Sequence, residues 1–576
     1  MSLFGSLQIA GNTLQAMQIG LQVVGNNIAN ANTPGFIREE VIYSPAPVQE
    51  IGGLTLGLGV QIDGIVQKAD AFLNERLRNA SGDRAGADIQ NEAYQDLESL
   101  IGELSSGDLS TSLSNFFNSI ADVAQNLGED AASFRNLAIG RGETLAADIG
   151  RLYERSETLR EEFDTRIVAS ADQINDLTET IRLLNLRIST IEGGTASVTQ
   201  AGGLRTERDN ALAELAQLVD VTVNEQPSGG VTVSVNGEFL VSEGTRREIE
   251  VFETQDAQGR DVSALRYADN NSPLSPAAGE VNGLLAARDD IIGSFQEQLD
   301  EFAATLAFEF NKLYSQGQGQ VGFQTLTSAD AVTSTTAALD AAGLPFTPTS
   351  GSFQVLLKRE GDTIAAPHDI FVNLDGLDTD TSLTSLAAQI NAIDGITASV
   401  NSENRLTIAA DSPDSEFLFA EDPNDPSGVL AALGLNTFFT GSTASDIGVN
   451  GELKGIGNAN RFAAALIGPD LQSNGNENAL RLEAFLDRPL DARNGVSLSG
   501  EYDQLINGVT RGATVARSVA EGFQVFEATL EGEQQALSGV SIDEEAIDMI
   551  QLQRIYQASA RYIQSISELL DVLVNL

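Results

Sequence analysis

The chain carries the same apolar periodicity near both of its ends. Near its start, apolar residues recur at alternating steps of four and three: Leu3, Leu7, Ala10, Leu14, Met17, Leu21, Val24 and Ile28. Near its end, the same steps run through Ile555, Ser559, Tyr562, Ile566, Leu569, Leu573 and Leu576. Such spacing places these residues on one side of an α-helix, where they can pack against another helix. The sequence therefore predicts two terminal helices that pair as a coiled coil.

The C-terminal helix carries apolar residues on a second face as well. They are Met549, Tyr556, Ile563, Leu570 and Val574. One partner helix covers only one face, so the second face predicts burial between copies of the chain. The candidate residues of this assembly interface are Leu3, Leu7, Leu14, Met17, Leu21, Val24, Ile28, Ile555, Tyr562, Ile563, Ile566, Leu569 and Leu573.

The bulk properties exclude several classes of partner. The chain has 576 residues, enough for about four domains. Its net charge of −49 repels nucleic-acid phosphates and anionic lipids, so we expect neither nucleic-acid binding nor membrane insertion. The sequence contains no run of about 18 apolar residues, so it predicts no membrane span. Residues 1–11 lack a basic stretch followed by an apolar block, so we expect no cleaved signal peptide.

Residues for catalysis or metal binding are sparse. The chain has no cysteine and one histidine, His368, which follows Pro367 and is predicted in a solvated loop. We therefore predict a protein that is not an enzyme and needs no cofactor or metal. Three acids, Asp375, Asp378 and Asp380, hint at calcium, although the sequence lacks the later Glu of a full calcium loop. Asp378 to Thr381 more simply caps the helix that follows.

The middle of the chain alternates between helical and strand periods. A seam from Leu145 to Ile191 predicts about 47 residues of helix, stopped by Gly193-Gly194. Alternating valines with Asn236-Gly237 between them predict a hairpin. Residues 320–450 are richer in Thr, Ser, Asp and Pro, and their pattern predicts strands at 353–357 and 370–372, a helix at 382–393 and a hairpin at 397–408.

Together these patterns predict a multidomain α+β protein in nested order. We expect a terminal coiled-coil layer (1–36 with 543–576) and a long, rod-like helical-bundle domain (37–200 with 500–542). Inside them we expect a β-rich domain with some helix (201–319 with 451–499) and an inserted, outward-facing α+β domain (320–450). The matching seams at the two ends favour nesting over a linear string of domains.

The segment after the first helix carries a recognisable signature. Pro34-Gly35 predicts a turn with positive φ at the glycine. The signature residues are Asn26, Asn27, Asn30, Asn32, Thr33, Pro34, Gly35 and Phe36. This segment resembles the one that follows the first helix in bacterial flagellar rod, hook and hook-associated proteins. Further segments, at 57–78, 203–223, 538–545 and 553–558, are similar to those of the hook-associated proteins at the hook–filament junction.

The resemblance implies structural work in the flagellum. It implies self-association in a ring or helical layer, with hook protein and a second hook-associated junction protein as neighbours. It also implies export without a cleaved signal peptide, through the flagellar type III apparatus with an export chaperone, to an extracellular position. Two alternatives remain: a hook protein or another axial subunit, and an adhesin-like or calcium-binding role of residues 320–450.

Overall fold

The computed structural model describes most of the chain in two compact units. The described residues are 3–51, 54–102, 108–127, 131–193, 199–359, 363–364, 366–377, 379–421, 426–455, 457–466 and 475–574. Unit 1 comprises Met1–Ala93, Glu161–Asp290 and Thr514–Leu576, and unit 2 comprises Tyr94–Arg160 and Ile291–Ala513. Helices and sheets are both present, which confirms the mixed α and β class. The nested four-domain order stays a prediction.

The helices carry the labels used below. They are α1 (Leu3–Asn30), α2 (Ala71–Gly102), α3 (Leu109–Gln125), α4 (Ala131–Glu192), α5 (Gly202–Leu218), α6 (Glu280–Leu285), α7 (Gly293–Tyr314), α8 (Leu383–Asn391), α9 (Val429–Leu433), α10 (Glu477–Glu483), α11 (Leu498–Ser538) and α12 (Ile542–Val574). A π-helical segment, Ala286–Ile292, joins α6 to α7. Short 3-10 turns lie at Leu339–Ala341, Gly451–Leu453, Asn458–Arg461 and Asp491–Arg493.

The strands form several small antiparallel sheets. They are β1 (Glu39–Pro45), β2 (Val48–Ile51), β3 (Leu54–Gly57), β4 (Val60–Gln67), β5 (Thr222–Glu225), β6 (Val231–Val235), β7 (Glu238–Ser242), β8 (Thr245–Arg246), β9 (Ile249–Gln255), β10 (Asp261–Tyr267), β11 (Thr325–Thr327), β12 (Gly351–Arg359), β13 (Thr363–Ile364), β14 (His368–Val372), β15 (Ile396–Val400), β16 (Leu406–Ala410), β17 (Glu416–Glu421), β18 (Phe439–Thr440) and β19 (Gly448–Val449).

In unit 1, α1 packs against α12 and against the β1–β4 pair, so the two ends of the chain meet. Nearby, α2 and α11 share a small apolar core of Leu73, Ala80 and Leu530. The Arg84 guanidinium pairs with the buried Glu527 carboxylate at 3.0 Å across the same two helices. Unit 1 therefore contains two helix pairs, α1 with α12 and α2 with α11.

The long helix α4 and the β6–β7 hairpin follow the sequence prediction. Helix α4 ends at Glu192, immediately before the predicted glycine stop, but its 62 residues exceed the predicted 47. The extra turns lie N-terminal to Leu145, where the same face continues through the buried residues Ala131, Arg135 and Ala138, which are too small or too polar to appear as an apolar seam. Asn236 and Gly237 have φ of 49° and 86°, as a two-residue turn between β6 and β7 requires.

In unit 2, an aromatic cluster fills the core beside α7. The rings of Phe116, Phe310, Phe438 and Phe439 lie 4.8 to 5.6 Å apart between centroids. A second apolar core runs from Phe323 to Leu435 and belongs to the predicted insertion. There β12 pairs with β13 and β14 on one side and with β17 on the other, while β11, β16 and β15 form a second sheet against α8.

Two details of the insertion differ from the sequence prediction. His368 begins strand β14 as an exposed residue paired with Val355, so the predicted loop is wrong although the exposure is right. Ser382 caps α8 by accepting a hydrogen bond from the Ser385 amide, which replaces the cap predicted at 378–381. A serine hydroxyl caps a helix as well as an aspartate carboxylate does, so acidic residues alone do not locate the N-cap. Asp378 lies outside the described residues.

Candidate functional site: the paired terminal helices

Helix α1 contains no charged residue over its 28 positions, although one residue in five of the whole chain is charged. Its buried residues are Ser6, Ala10, Ala16, Met17, Gly20, Val23, Val24 and Asn27. Its opposite face is exposed and carries the amides Gln8, Gln15, Gln18, Gln22 and Asn26. The helix is therefore built by apolar and small residues on one face, which is the face that α12 and the β1–β4 pair cover.

The two terminal helices run antiparallel. The amide of Asn27 contacts the carboxylate of Glu545, and Gly20 faces Leu552, seven residues away along each helix in opposite directions. A side chain at position 20 would place its Cβ only 2.5 Å from the Tyr43 hydroxyl oxygen and 3.2 Å from Leu552 Cδ1. The small residue thus allows β1 and α12 to approach α1 at one point.

Asn27 connects three elements with one side chain. Its Nδ2 donates to the Glu39 carbonyl at 2.9 Å and to Glu545 Oε2 at 3.1 Å, and its Oδ1 accepts from the Glu39 amide at 3.0 Å. Asn27 is 1% exposed, so these hydrogen bonds replace the ones to water that the side-chain amide loses on burial. The asparagine therefore ties the end of α1 to the start of β1 and the first turn of α12.

Arg38 completes this connection with charge. Its Nε lies 2.6 Å from Oε1 of the buried Glu545, and its other nitrogens lie 3.1 Å from Glu544 and 3.3 Å from Asp548. The Arg38 backbone amide also donates to the Ser538 carbonyl at the end of α11. Because Glu545 is 1% exposed, Arg38 and Asn27 are what make its burial tolerable. We call Asn27, Arg38 and Glu545 the terminal knot.

The signature turn leads the chain from α1 into the terminal knot. Asn30 accepts at its carbonyl from the Thr33 amide at 2.9 Å, and its Nδ2 donates to the Asn26 carbonyl at 3.0 Å. Gly35 has φ of 72°, as predicted, and the Asn210 side chain of α5 occupies the place where a Cβ would stand. Phe36 then donates its amide to the Thr33 carbonyl. The turn is thus closed by its own amides and held by α5.

The other two signature positions are exposed. Asn32 and Pro34 line a cleft of about 980 Å³ between the signature turn and the end of α11, where Gln534, Leu537 and Gly539 form the opposite wall. Sequence reasoning grouped all eight signature residues together. In the structure Thr33, Gly35 and Phe36 line the cleft as well, whereas Asn26, Asn27 and Asn30 do not.

The predicted interface residues of α1 lie at the edge of its buried face. Met17 and Val24 are buried, whereas Leu3, Leu7, Leu14, Leu21 and Ile28 are half-buried. The seam is therefore used within the chain, with its leucine side left partly open.

The predicted seam of α12 is not the face that packs on α1. The buried and half-buried apolar residues of α12 are Met549, Leu552, Ile563, Ile566 and Leu570. Of the predicted seam only Ile566 is buried, while Ile555, Tyr562 and Leu569 are 44%, 45% and 57% exposed. The Leu573 side chain lies outside the described residues. The sequence analysis identified both apolar faces of α12 but took the seam with Ile555, Tyr562 and Leu569 as the face that pairs with α1. The two faces have the same periodicity, so spacing alone does not distinguish them.

The exposed residues Ile555, Tyr562 and Leu569, one heptad apart, form a continuous stripe that Val572 extends. We call these four residues the α12 stripe. Over the part of the chain that the structure describes, no helix is both long and apolar enough to cross a membrane. An apolar stripe on a helix of this kind is suited to contact another protein chain.

A buried charge network holds α5, whose motif also matched the resemblance. Arg205 pairs with Glu192 at 2.8 Å and with Glu225 at 2.7 Å, and the buried Arg208 donates to the Asn185 side chain and the Gly229 carbonyl. Burial opposes ionisation of Glu192, but hydrogen bonds from Arg205 and from the Ala201 amide outweigh it and lower the pKa of Glu192. The motif therefore positions the helix that supports the signature turn.

The acids of the predicted calcium site bond to backbone amides of their own loop. The two oxygens of Asp380 accept from the Asp375 and Gly376 amides at 3.0 and 3.1 Å, and Asp375 accepts from the Leu377 amide. Among the described residues no group of three or more His, Asp or Glu side chains is arranged to hold a metal ion. The acids of this loop stabilise its own turns.

Three family models match the chain in the regions just described. The model of flagella basal body rod proteins matches residues 7–36, and that of the flagellar basal body rod FlgEFG protein C-terminal region matches residues 533–576. The model of the flagellar hook-associated protein FlgK helical domain matches residues 94–325. The first two therefore coincide with the terminal helices and the signature turn.

Whole-chain relatives extend this match. Flagellar hook-associated protein 1 of Escherichia coli (strain K12) is 25% identical over 581 residues, and that of Salmonella typhimurium is 25% identical over 593 residues, each covering 98% of both chains. The Bacillus subtilis protein of the same name is 25% identical over 56% of this chain and 69% of its own. The structure of the flagellar hook junction protein FlgK from Burkholderia pseudomallei aligns with 81% of this chain and 100% of its own, at 15% identity and a TM-score of 0.48.

Terminal helices that match rod-protein models at both ends define a structural protein of the bacterial flagellum. The helical-domain model and the full-length relatives then narrow the class. Over nearly its whole length the chain is similar to flagellar hook-associated protein 1.

Proposed function

We propose that this protein joins hook to filament by self-association of its terminal helices into the axial tube. A structural role at the hook–filament junction is supported by the family model and by the relatives' shared name. The observation that carries the tube hypothesis is the α12 stripe, which remains exposed after α1 has covered the other apolar face of α12.

The terminal pair is suited to contact several copies at once. Two helices that already cover one another form a rod with a defined outer surface. The α12 stripe offers aromatic and aliphatic side chains there, and burial of such side chains is the main driving force for association. The half-buried leucine edge of α1 adds further apolar area. Self-association therefore needs no change in the pairing of α1 with α12.

The remaining neighbours follow from the position in the flagellum. The rod-type terminal matches support association with hook protein, and the junction role suggests a second hook-associated protein on the filament side. We further propose export through the flagellar type III apparatus with an export chaperone, and an extracellular position reached without a cleaved signal peptide. A chain without cysteine forms no disulfides while it is unfolded in transit.

We propose that the protein works without catalysis or a cofactor. The relatives are structural proteins of the flagellum. The most strongly engaged ionisable groups, such as Arg205 with Glu192, are buried structural pairs that fasten one element to another. The proposed mechanism is therefore burial of apolar surface between chains.

The test uses a bacterium that lacks its own copy of the gene. The double variant Ile555→Asn with Leu569→Asn should be exported but lost from isolated hooks and found in the medium, and the cells should fail to swim. The matched control is Leu480→Asn, a leucine of α10 with 48% exposure outside the terminal pair. Retention of the double variant on hooks at the control's level would refute the proposal.

The absence of cysteine permits a direct second test. Ser565 of α12 is exposed and lies beside the stripe, so Ser565→Cys provides a single thiol there. Mild oxidation of assembled hooks should then yield disulfide-linked dimers of the chain. A matched Ser518→Cys variant on the exposed part of α11 controls for random collision.

A further inference from the structure

Two arginines of α12 stand out in an acidic chain. Arg554 and Arg561 are exposed and one heptad apart, so they project from the same side of the helix. Over the described residues, neither forms an ion pair, and neither has an acid three or four positions away on α12. Elsewhere arginines such as Arg38, Arg205 and Arg247 each contact carboxylates within the chain. The two cations on α12 are therefore not neutralised internally.

The charges of the terminal pair are distributed unevenly. Helix α1 has no charged residue, and between residues 549 and 567 the only charges are Arg554 and Arg561. The acids of α12 lie toward its ends, at Asp543 to Asp548 and at Glu568 and Asp571. A positive segment thus sits in the middle of a helix that belongs to a chain of net charge −49.

The two arginines border the α12 stripe. Arg554 precedes Ile555 and Arg561 precedes Tyr562, and successive helical residues are about 100° apart. Ile563 and Ile566 face α1 on the other side of the stripe. Each arginine therefore flanks the apolar seam in the position where coiled coils place the charges that select partner and register.

We infer that Arg554 and Arg561 pair with carboxylates on α12 of a second copy of this chain and fix the register of self-association. This inference rests on the proposed function. Like-charged copies repel one another, so apolar burial alone would favour contact without selecting an alignment. Asp543 and Glu568, the exposed acids near either end of a neighbouring α12 that Arg38 does not contact, lie 7 to 18 residues from the arginines, so an axial offset of roughly 10 to 27 Å brings opposite charges together.

The first experiment changes the charge and leaves the stripe intact. Arg554→Gln with Arg561→Gln should reduce the fraction of exported chain retained on hooks about tenfold, and the double change to Glu should reduce it further. The double change to Lys keeps the charge and should retain the chain as the parent does. Arg141→Gln, at an exposed arginine of α4, is the matched control.

The same variants separate this inference from loss of folding and from failure of the proposed function. The purified Gln variant should melt at the parent's temperature, because neither arginine has an internal ion-pair partner. If the Ile555→Asn, Leu569→Asn variant is lost from hooks while the Gln and Glu variants match the Arg141→Gln control, the register role is refuted and the tube hypothesis stands. If the apolar variant is retained, the tube hypothesis itself fails.

The second experiment identifies the partner. A carbodiimide joins a lysine amine to a carboxylate only at ion-pair distance, so it is applied to hooks that carry the double Lys variant. Mass spectrometry should find amide links from positions 554 or 561 to acids of α12 in another copy. Links only to a different protein, or no link where the Ser565→Cys variant does form dimers, would overturn the inference.

Discussion

Asn27 and Glu545 lie 518 residues apart in the sequence, yet they share a buried hydrogen bond of 3.1 Å. The bond joins the last turn of α1 to the first turn of α12. Arg38, which follows the signature turn, neutralises the same carboxylate. The two terminal helices are therefore fastened by polar groups at one end and by apolar contacts along their length, and the signature is in part the polar fastening.

Glu545→Gln should loosen the terminal pair. We expect a loss of about 2 kcal/mol, below the range of about 3–5 kcal/mol for a buried ion pair that loses a partner, because Arg38 keeps contacts with Glu544 and Asp548. Hydrogen exchange of the α1 and α12 amides should accelerate about 30-fold. The matched control is Glu544→Gln, whose side chain also contacts Arg38 but is 66% exposed, so its effect should be much smaller. Equal effects of the two variants would contradict the knot.

Asn27→Ala should disturb the start of β1 as well as α12. The substitution removes all three hydrogen bonds of the buried amide and leaves the Glu39 backbone groups without their partner, at a cost of about 2–3 kcal/mol. Exchange protection should fall in peptides that contain Glu39 and in those that contain Glu545. Asn26→Ala removes only exposed side-chain hydrogen bonds, to the Glu39 carboxylate and from Asn30, and should change the protection of both peptides much less. Protection lost in α12 alone would show that Asn27 does not hold β1.

Gly35→Ala and Gly203→Ala should have opposite signs. At Gly35 the positive φ and the adjacent Asn210 side chain both oppose a Cβ, so we expect a loss of about 1–2 kcal/mol. At Gly203, an exposed helical position of α5 with open space around it, alanine should stabilise by about 0.5–1 kcal/mol. Asn210→Ala in the Gly35→Ala background should recover only the part of the lost stability that comes from the clash with Asn210, and not the part that comes from the positive φ. Thermal melting of the four proteins measures these effects.

The Glu192 pair should make stability depend on pH in a defined direction. The pKa of Glu192 is lowered in the folded state, because the hydrogen bonds from Arg205 and Ala201 outweigh the cost of burial. Its contribution is therefore present above the ordinary glutamate pKa of about 4.3 and is lost as pH falls through the lower folded value. Glu192→Gln should lower the melting temperature at pH 7, and this effect should shrink as pH falls below about 4.3.

Glu225→Gln is the control for the Glu192 variant. Glu225 contacts the same arginine but is about half exposed, so water already screens its charge. We expect Glu225→Gln to shift the melting temperature only slightly at pH 7 and at pH 3. A Glu192→Gln effect that does not shrink as pH falls would mean that the hydrogen-bond geometry, and not the charge, carries the contribution.

Local patterns predicted many elements because their causes are local. Helix α4 ends at Glu192, directly before Gly193, and Asn236-Gly237 sets a two-residue turn by its positive φ values. In the insertion, β12, β14, β15, β16 and α8 were predicted from their period, whereas β11, β17 and α9 were not. The π-helical segment at Ala286–Ile292 was missed, because its sequence has the apolar spacing of an ordinary helix and only packing extends its hydrogen bonds.

At the candidate site, the sequence pattern identifies the helices but not the surfaces that pair. The sequence identified α12 as apolar on two faces but not which face α1 takes. The structure gives α1 the face of Leu552, Ile563 and Ile566. Arg38 and Glu545 were not singled out as a pair, since nothing in a charged residue's own neighbourhood reveals a partner about 500 positions away.

By itself the sequence determined that both ends are amphipathic helices, that a glycine turn follows the first, and that the chain carries a net charge of −49. These properties follow from side-chain spacing, backbone freedom and charge count, which need no knowledge of distant contacts. Only the tertiary structure decided that α1 and α12 are antiparallel, that Asn27, Arg38 and Glu545 fasten them, and that Ile555, Tyr562 and Leu569 stay exposed. Those outcomes depend on which surfaces meet, and many pairings share the same periodicity.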